Sequence, residues 1–327
     1  MGDAATGQED RATRANLATV DEGAFSGHFG LHNWNSYVDH DEMPVPEFML
    51  AGSLPTSRLA DAMHLAQQRA WQLHMRLADR TERVRRQSCS GPCAGKWCTT
   101  LSPTYKLEDA EWRLAARFRM GLPVCPAGCR CCLRSGQTGT CDFLMDTSGI
   151  HASLCGKGPD ALIAHSALER WIAQVFRNAG WAAVLDQHIV EWNHISRKTG
   201  KVVHAVMDIV GSRPDKPTIY ADVTVRSPMA SRYGEAGTID RAEREKCTAY
   251  PPIHGMQVTP LAFETWGRCS AGTVQFLRQM ASGTAARHRD KGWRSTESLV
   301  MLLTEASSLL ARAVGRRLLR AQEMHRC

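Results

Sequence analysis

Three residues in the second half of the chain, Asp208, Asp222 and Lys246, have the types and spacing of a metal-dependent hydrolytic site. The run from Val202 to Val210 is β-branched and apolar, residues 211–217 are dense in turn formers, and Thr218 to Val225 is β-branched again, which reads as a hairpin. With Asp215 at the centre of the turn, Asp208 and Asp222 stand at equal distances from it on opposite strands. Directly opposed residues share one face of a sheet, with Cβ atoms about 4.5–5.5 Å apart. Two carboxylates that close repel unless a cation lies between them, and hard oxygen donors suit Mg2+ or Mn2+. Period-two alternation puts Asp222, Thr224 and Arg226 on that face and Val223 and Val225 on the other. A helical segment from Asp240 to Lys246 follows. From it, a lysine can reach the acids, orient an attacking water and offset charge on a phosphorane. Solvated acids beside a turn and a surface lysine share the same spacing, so the residues alone leave both readings open. Pro214-Asp215 looks like the start of a nuclease signature but falls in the turn.

A second constellation is richer in soft ligands. Cys125, Cys129, Cys131 and Cys132 precede Cys141, and the segment from Asp146 to Cys155 ends in His151-x-x-x-Cys155. Thiolates and an imidazole separated by tight turns suit tetrahedral Zn2+, and four protein ligands would leave no open position for a substrate. The competing explanation is a set of free cysteines acting as small core hydrophobes. Cys89, Cys93 and Cys98 fall in a Ser, Gly and Pro loop and lack a fourth ligand, which makes them a weaker candidate.

In combination, Asp208-Ile209-Val210, Asp222 through Pro228, Ala242 with Lys246 and Tyr250-Pro251, and Pro260 through Arg268 resemble a known domain. They are similar to the restriction-like endonuclease that follows the reverse transcriptase in some non-LTR retrotransposons, and the resemblance runs from about Leu107 to about Arg317. It implies the PD-(D/E)XK fold and a metal-dependent DNA endonuclease that hydrolyses phosphodiester bonds. Asp208 and Asp222 would be metal ligands and Lys246 the displaced catalytic lysine, with Thr224 standing where Lys often does. The first core helix of such a fold can lend an acid, which makes Glu169 a further candidate, although a surface glutamate has the same pattern. Ala164-His165 stands where the family often has Arg-His. In the cysteine cluster the resemblance maps zinc onto Cys132, Cys141, His151 and Cys155, with Cys129 or Cys131 as alternates to Cys132. The alternative function is a nuclease fold that no longer cuts, a nucleic-acid-binding zinc module from a decayed element. Tyr220-Ala221-Asp222-Val223 lacks the tandem aspartates of a reverse transcriptase, so that enzyme would be a separate or formerly fused partner.

The elements that must position these residues follow from periodicity. Residues 1–46 read as a flexible acidic leader, and 47–123 as a helical segment with a cysteine-containing loop, including a helix from Ser57 to about Arg86 and another from Leu107 to Met120. Residues 124–158 form the zinc knuckle, 159–285 the nuclease core, and 286–327 a basic C-terminal helix. Strands over Ala182–Trp192, the acidic hairpin and Met256–Glu264, bracketed by helices, predict an α/β fold: a mixed central sheet with helices on both faces. Glu264 could order the site or end a strand in solvent. A net charge of +7 suits a polyanionic partner, DNA or also RNA, with Arg226, Arg244, Arg316 and Arg317 as candidate phosphate contacts. Twelve cysteines argue for reduced thiols and a metal site rather than a disulfide framework. No apolar run is read as a membrane span, so a soluble, intracellular and nuclear protein is expected.

Overall fold

The hairpin that carries the acidic pair forms the middle of a four-stranded mixed sheet. The structure, a computed structural model, describes residues 76, 78–99, 102, 104–125, 128, 130–131, 134–135, 139–141, 143–155, 160–196, 199–230 and 238–323. The expected leader, most of the helix expected from Ser57, and Cys129 and Cys132 lie outside the described residues. Helices are α1 Arg80–Ser88, α2 Lys96–Thr99, α3 Asp109–Met120, α4 Ile150–Leu154, α5 Asp160–Asn178, α6 Thr238–Ala249, α7 Ala271–Arg287 and α8 Ser295–Glu323. Strands are β1 Arg134–Ser135, β2 Gly139–Thr140, β3 Ala182–His188, β4 His194–Ile195, β5 Val202–Val203, β6 Val206–Arg213, β7 Lys216–Arg226 and β8 Val258–Glu264. The chain divides into two units between Arg83 and Val84, and all elements from α2 onward lie in the second. In the first, the Asp79 side chain accepts the Glu82 N–H at 2.8 Å and starts α1 afresh at Arg80, where periodicity predicts a helix running through.

The sheet order is β3-β6-β7-β8, with the first two pairings antiparallel and β7–β8 parallel. The β6–β7 connection is tighter than the sequence predicts, since Arg213 already pairs with Lys216 across Pro214-Asp215. That turn by itself would oppose Asp208 to Ala221, because paired residue numbers would sum to 429. A bulge between Gly211 and Arg213 shifts the register by one, and beyond it Ile209 opposes Ala221 and Val210 opposes Tyr220. One residue of slip moves a side chain to the other face, so the bulge is what brings both acids to one side.

The opposite side of the sheet is the main core. Ile209, Ala221, Val223, Leu261 and Phe263 pack there against Leu168, Ile172 and Phe176 of α5, Leu277 and Met280 of α7, and Leu302, Ala306 and Leu310 of α8. On the side of β7 and β8 that carries Asp222, Ala262 packs under Ile239 and Ala242 of α6, and a separate cluster gathers Met207, Val210 and Val258 around Trp192. Helices therefore flank a mixed sheet on both sides, as expected.

The last helix, expected as a basic C-terminal helix over 286–327, packs along its apolar side. It begins at Ser295, and its first half belongs to the sheet core, while Leu318 and Ala321 enter a second core with Leu114, Phe118, Val124, Met145, Ala152 and Trp266. Contrary to expectation, this helix is long and apolar enough to cross a membrane by length and composition. More than half of its most apolar stretch is covered by the rest of the protein, as in a core helix.

Candidate functional site

The β6–β7 register, continued one step past Ile209–Ala221, sets Asp208 opposite Asp222, and each carboxyl shifts the pKa of the other. The ladder between these strands stops after Ile209–Ala221, because the Asp208 carboxylate enters the gap: its Oδ2 accepts the Val223 N–H at 2.7 Å. His165, from the first turns of α5, completes this arrangement. Its Nε2 lies 3.0 Å from the Val223 carbonyl and 3.2 Å from Asp208 Oδ2. A carbonyl only accepts, so Nε2 carries the hydrogen and donates to both oxygens. Lys246 covers the other acid from α6, its Nζ standing 2.7 Å from Asp222 Oδ1 and 2.9 Å from Oδ2, and 6.0 Å from the Tyr250 ring centroid.

The two acids are electrostatically unlike. Burial pushes the Asp222 carboxyl up to about 6, with Asp208 adding to the shift and the Lys246 ammonium opposing it. Burial also acts upward on Asp208, but His165 and the Val223 N–H outweigh it and hold the group below the usual carboxylate range. The hydrogen bond to Asp208 in turn raises His165. Tyr250, beside the pair, is pushed up to about 12 by burial and by the two acids.

Glu169, one helical turn beyond His165, is buried rather than a surface residue. Its Oε1 has no hydrogen-bond partner, and its Oε2 lies 3.9 Å from His165 Nδ1. Burial raises its carboxyl, and Asp186 and Asp208 push in the same direction. Asp186 was not legible as a site residue. It has φ of 51°, and the β3–β6 pairing passes from Leu185–Ile209 to Gln187–Met207 without it, so it drops out of the ladder opposite Asp208. An aspartate interrupting the run Val184-Leu185-Asp186 was the available signal. Glu264 lies away from this group, buried at the end of β8 beside Arg226 of β7. It neither touches the acid pair nor ends in solvent.

The cysteine constellation resolves into one set: Cys131, Cys141, His151 and Cys155 could hold a metal ion, with ligand atoms all within 4.8 Å of one another. Among the described residues no other group of three or more such side chains is that close, so the carboxylates at the sheet form a looser cluster. Cys131 Sγ lies 3.7 Å from Cys155 Sγ, and Cys141 Sγ 3.4 Å from His151 Nε2. A tetrahedron with metal–sulfur distances of about 2.3 Å has S···S edges of about 3.75 Å, so the spacing fits. The thiol at Cys131 fills the place mapped to Cys132. Asp146 explains the rest of the motif, accepting the backbone N–H of Ile150 at 2.8 Å and of His151 at 2.6 Å and so capping α4. Gly149, at φ of 75°, must be glycine, since a Cβ there would lie 2.4 Å from Val124 Cγ2 and 2.8 Å from Leu318 Cδ2. Burial lowers the His151 pKa, which favours the neutral, ligating imidazole. The upstream thiols are apart from this set: Cys93 is buried against the Leu303 carbonyl, and Cys89 Sγ points to the Arg119 carbonyl.

Of the four arginines expected to meet phosphate, two are engaged internally. Arg316 Nε lies 2.5 Å from Oε1 of buried Glu111, with Arg312 Nε 3.6 Å from Oε2, and Arg317 donates to the Cys155 carbonyl. A carboxylate buried between helices requires such pairing, which draws the end of α8 inward. Arg226 lies 3.8 Å from Glu245 on the acid-bearing side, and Arg244 is exposed on α6. Comparison of the sequence with protein-family models and with curated proteins finds no match.

Proposed function

We propose that this chain is a metal-dependent DNA endonuclease of the restriction-like kind, a retroelement domain that hydrolyses phosphodiester bonds with Mg2+ or Mn2+ and carries a structural Zn2+ at Cys131, Cys141, His151 and Cys155. The observation that carries the reading is the placing of Asp208 opposite Asp222 across β6 and β7, with the Lys246 ammonium 2.7 Å from Asp222. A buried acid pushed up to about 6 and a half-buried one that adds to that shift form a place where a divalent cation would relieve mutual repulsion. When bound there, such a cation would supply Lewis-acid charge to a scissile phosphate and acidify a water. His165 holds Asp208 in one orientation through Nε2. Asp222 holds the Lys246 ammonium over the acid-bearing face, where it can stabilise charge on the transferring phosphoryl group. Glu169 presents an unpartnered oxygen to the same cluster.

The test is nicking of supercoiled plasmid. Wild-type protein should cut with Mg2+ or Mn2+ and not with EDTA, while Asp222→Ala and Lys246→Ala should each lose at least about 100-fold, the scale of removing one charge-stabilising group. Wild-type protein that binds the plasmid without nicking it, at any metal concentration, removes the hydrolytic reading. The second reading, a nucleic-acid-binding zinc module that no longer cuts, is favoured by one observation. Lys246 already sits 2.7 Å and 2.9 Å from the two oxygens of Asp222, which sets a positive charge against that carboxylate without a metal ion, although only Oδ2 accepts a hydrogen bond.

A further inference from the structure

The β4–β5 ribbon, His194–Ile195 paired with Val202–Val203, has no covered face. Ile195 is 67% exposed and Val202, its direct partner, 58%; Val203 is 40% exposed opposite His194, which is also exposed. Val190, in the turn before the ribbon, and Val206, at the start of β6 after it, are exposed as well. A two-stranded ribbon with bare aliphatic side chains on both sides is marginal by itself, and apolar surface concentrated in one place marks a contact site.

The root of the ribbon is held firmly. Trp192, immediately before it, is buried, donates from Nε1 to the Pro251 carbonyl at 2.7 Å, and packs on Tyr220 and Tyr250 with ring centroids 5.2 and 5.6 Å away. Asn193 Oδ1 accepts the Ala205 N–H at 2.9 Å and ties the two sides of the root together. Tyr250 is the ring beneath Lys246, and Asp208 lies two residues beyond Val206 on β6. The ribbon therefore projects from the end of the sheet that carries the acid pair.

Its charge is one-sided. From Trp192 to Met207 there is no acidic residue, while Lys201, His194 and His204 are exposed, and exposed His188 stacks edge-on against His204 at 5.2 Å. Bare aliphatics beside a lysine, with no acid among them, suit a polyanion with an apolar interior edge: side chains such as isoleucine wedge against bases and sugars in a groove while lysine meets the phosphates. A two-stranded ribbon is also narrow enough to enter a DNA groove.

We propose that the β4–β5 ribbon is a duplex-DNA groove contact, with Ile195 and Val202 as the wedge and Lys201 as a phosphate contact, seating the backbone against the acid pair. This rests on the DNA-directed reading above, but binding measured in EDTA separates it from cleavage. Full-length protein is titrated onto a fluorescent 30-base-pair duplex, chosen as the probe, and followed by anisotropy, with light scattering and a thermal melt on each variant. Ile195→Ser with Val202→Ser should weaken binding at least about 10-fold with an unchanged melting temperature, since both side chains are exposed. Lys201→Ala should lower the slope of log affinity against log salt by about one. A wild-type protein that binds duplex but does not nick leaves the ribbon proposal standing and removes only the hydrolytic one. Unchanged DNA affinity in the double variant overturns the proposal, and a wild-type dimer that the same variant dissociates assigns the ribbon to a second copy of this chain instead. Failure of wild-type protein to bind the duplex overturns it too.

Discussion

At Asp222 the requirements of stability and chemistry oppose each other. Its folded pKa is raised from 3.8 to about 6, so the folded state binds the proton more tightly than the unfolded chain does. The stability this group contributes is therefore present at low pH and is lost as pH rises from about 4 to about 6. Asp208 has the opposite sign: its depressed pKa makes it stabilising at neutral pH, with the contribution lost as pH falls below the ordinary range. Asp222→Asn should then abolish nicking and yet raise the neutral-pH stability of the metal-free protein, by on the order of 1 kcal/mol, while leaving it no more stable than wild type below about pH 4. Urea melts at pH 4 and pH 7 read this directly, and equal losses at both values would contradict the electrostatic account. His165 acts through Asp208, so His165→Gln, whose amide can still donate, should retain more cleavage than His165→Ala and should mainly raise the Mg2+ concentration needed for half-maximal nicking.

Among the elements, α3 and α8 cross at a point that propensity alone misjudges. Gly315 lies in the interior of α8, where glycine costs about 1 kcal/mol relative to alanine. A Cβ there would stand 2.4 Å from the Glu111 carbonyl oxygen, a backbone atom that cannot swing aside. Gly315→Ala should accordingly destabilise the protein by about 1–3 kcal/mol instead of stabilising it, with loss of the Arg316–Glu111 pair as its structural signature. Thermal melts beside Leu310→Ala, a core truncation expected to cost about 2–5 kcal/mol, set the scale. The same crossing is why the arginines near the end of α8 serve Glu111 and Cys155 rather than a ligand. Charge clustering on a helix was legible in the sequence, but the buried carboxylate 205 positions away in the chain was not.

Across the whole molecule, α8 joins the sheet core to the Cys/His module. Leu318 packs against Gly149 of the module, and Arg317 holds the Cys155 carbonyl. Loss of the metal should therefore be felt beyond the four ligands. Chelation should release about one equivalent of Zn2+ and lower the melting temperature by several degrees, as expected when a ligand bound only to the folded state is withdrawn. Cys131→Ser should reproduce the effect, while Cys247→Ser, at an exposed thiol outside the set, should not. A zinc content well below one equivalent in freshly purified protein would count against a metal-held module.

What the sequence determined by itself was the local chemistry: periodicity marked α3 and the C-terminal helix, β-branched runs marked the acidic hairpin, and residue type marked the ligands. These signals are short-range, because side-chain period and turn formers act within a few positions. Tertiary structure alone decided which face the acids share, which thiol joins His151, and which arginines stay outside. A single bulged residue between Gly211 and Arg213 reverses the outcome for the acid pair, and register is selected by the helices that cover each face of the sheet. Asp186, turned out of its ladder by one left-handed residue, is the clearest case. Its link to the cluster is its charge acting on Glu169 of α5, which no pattern within β3 encodes.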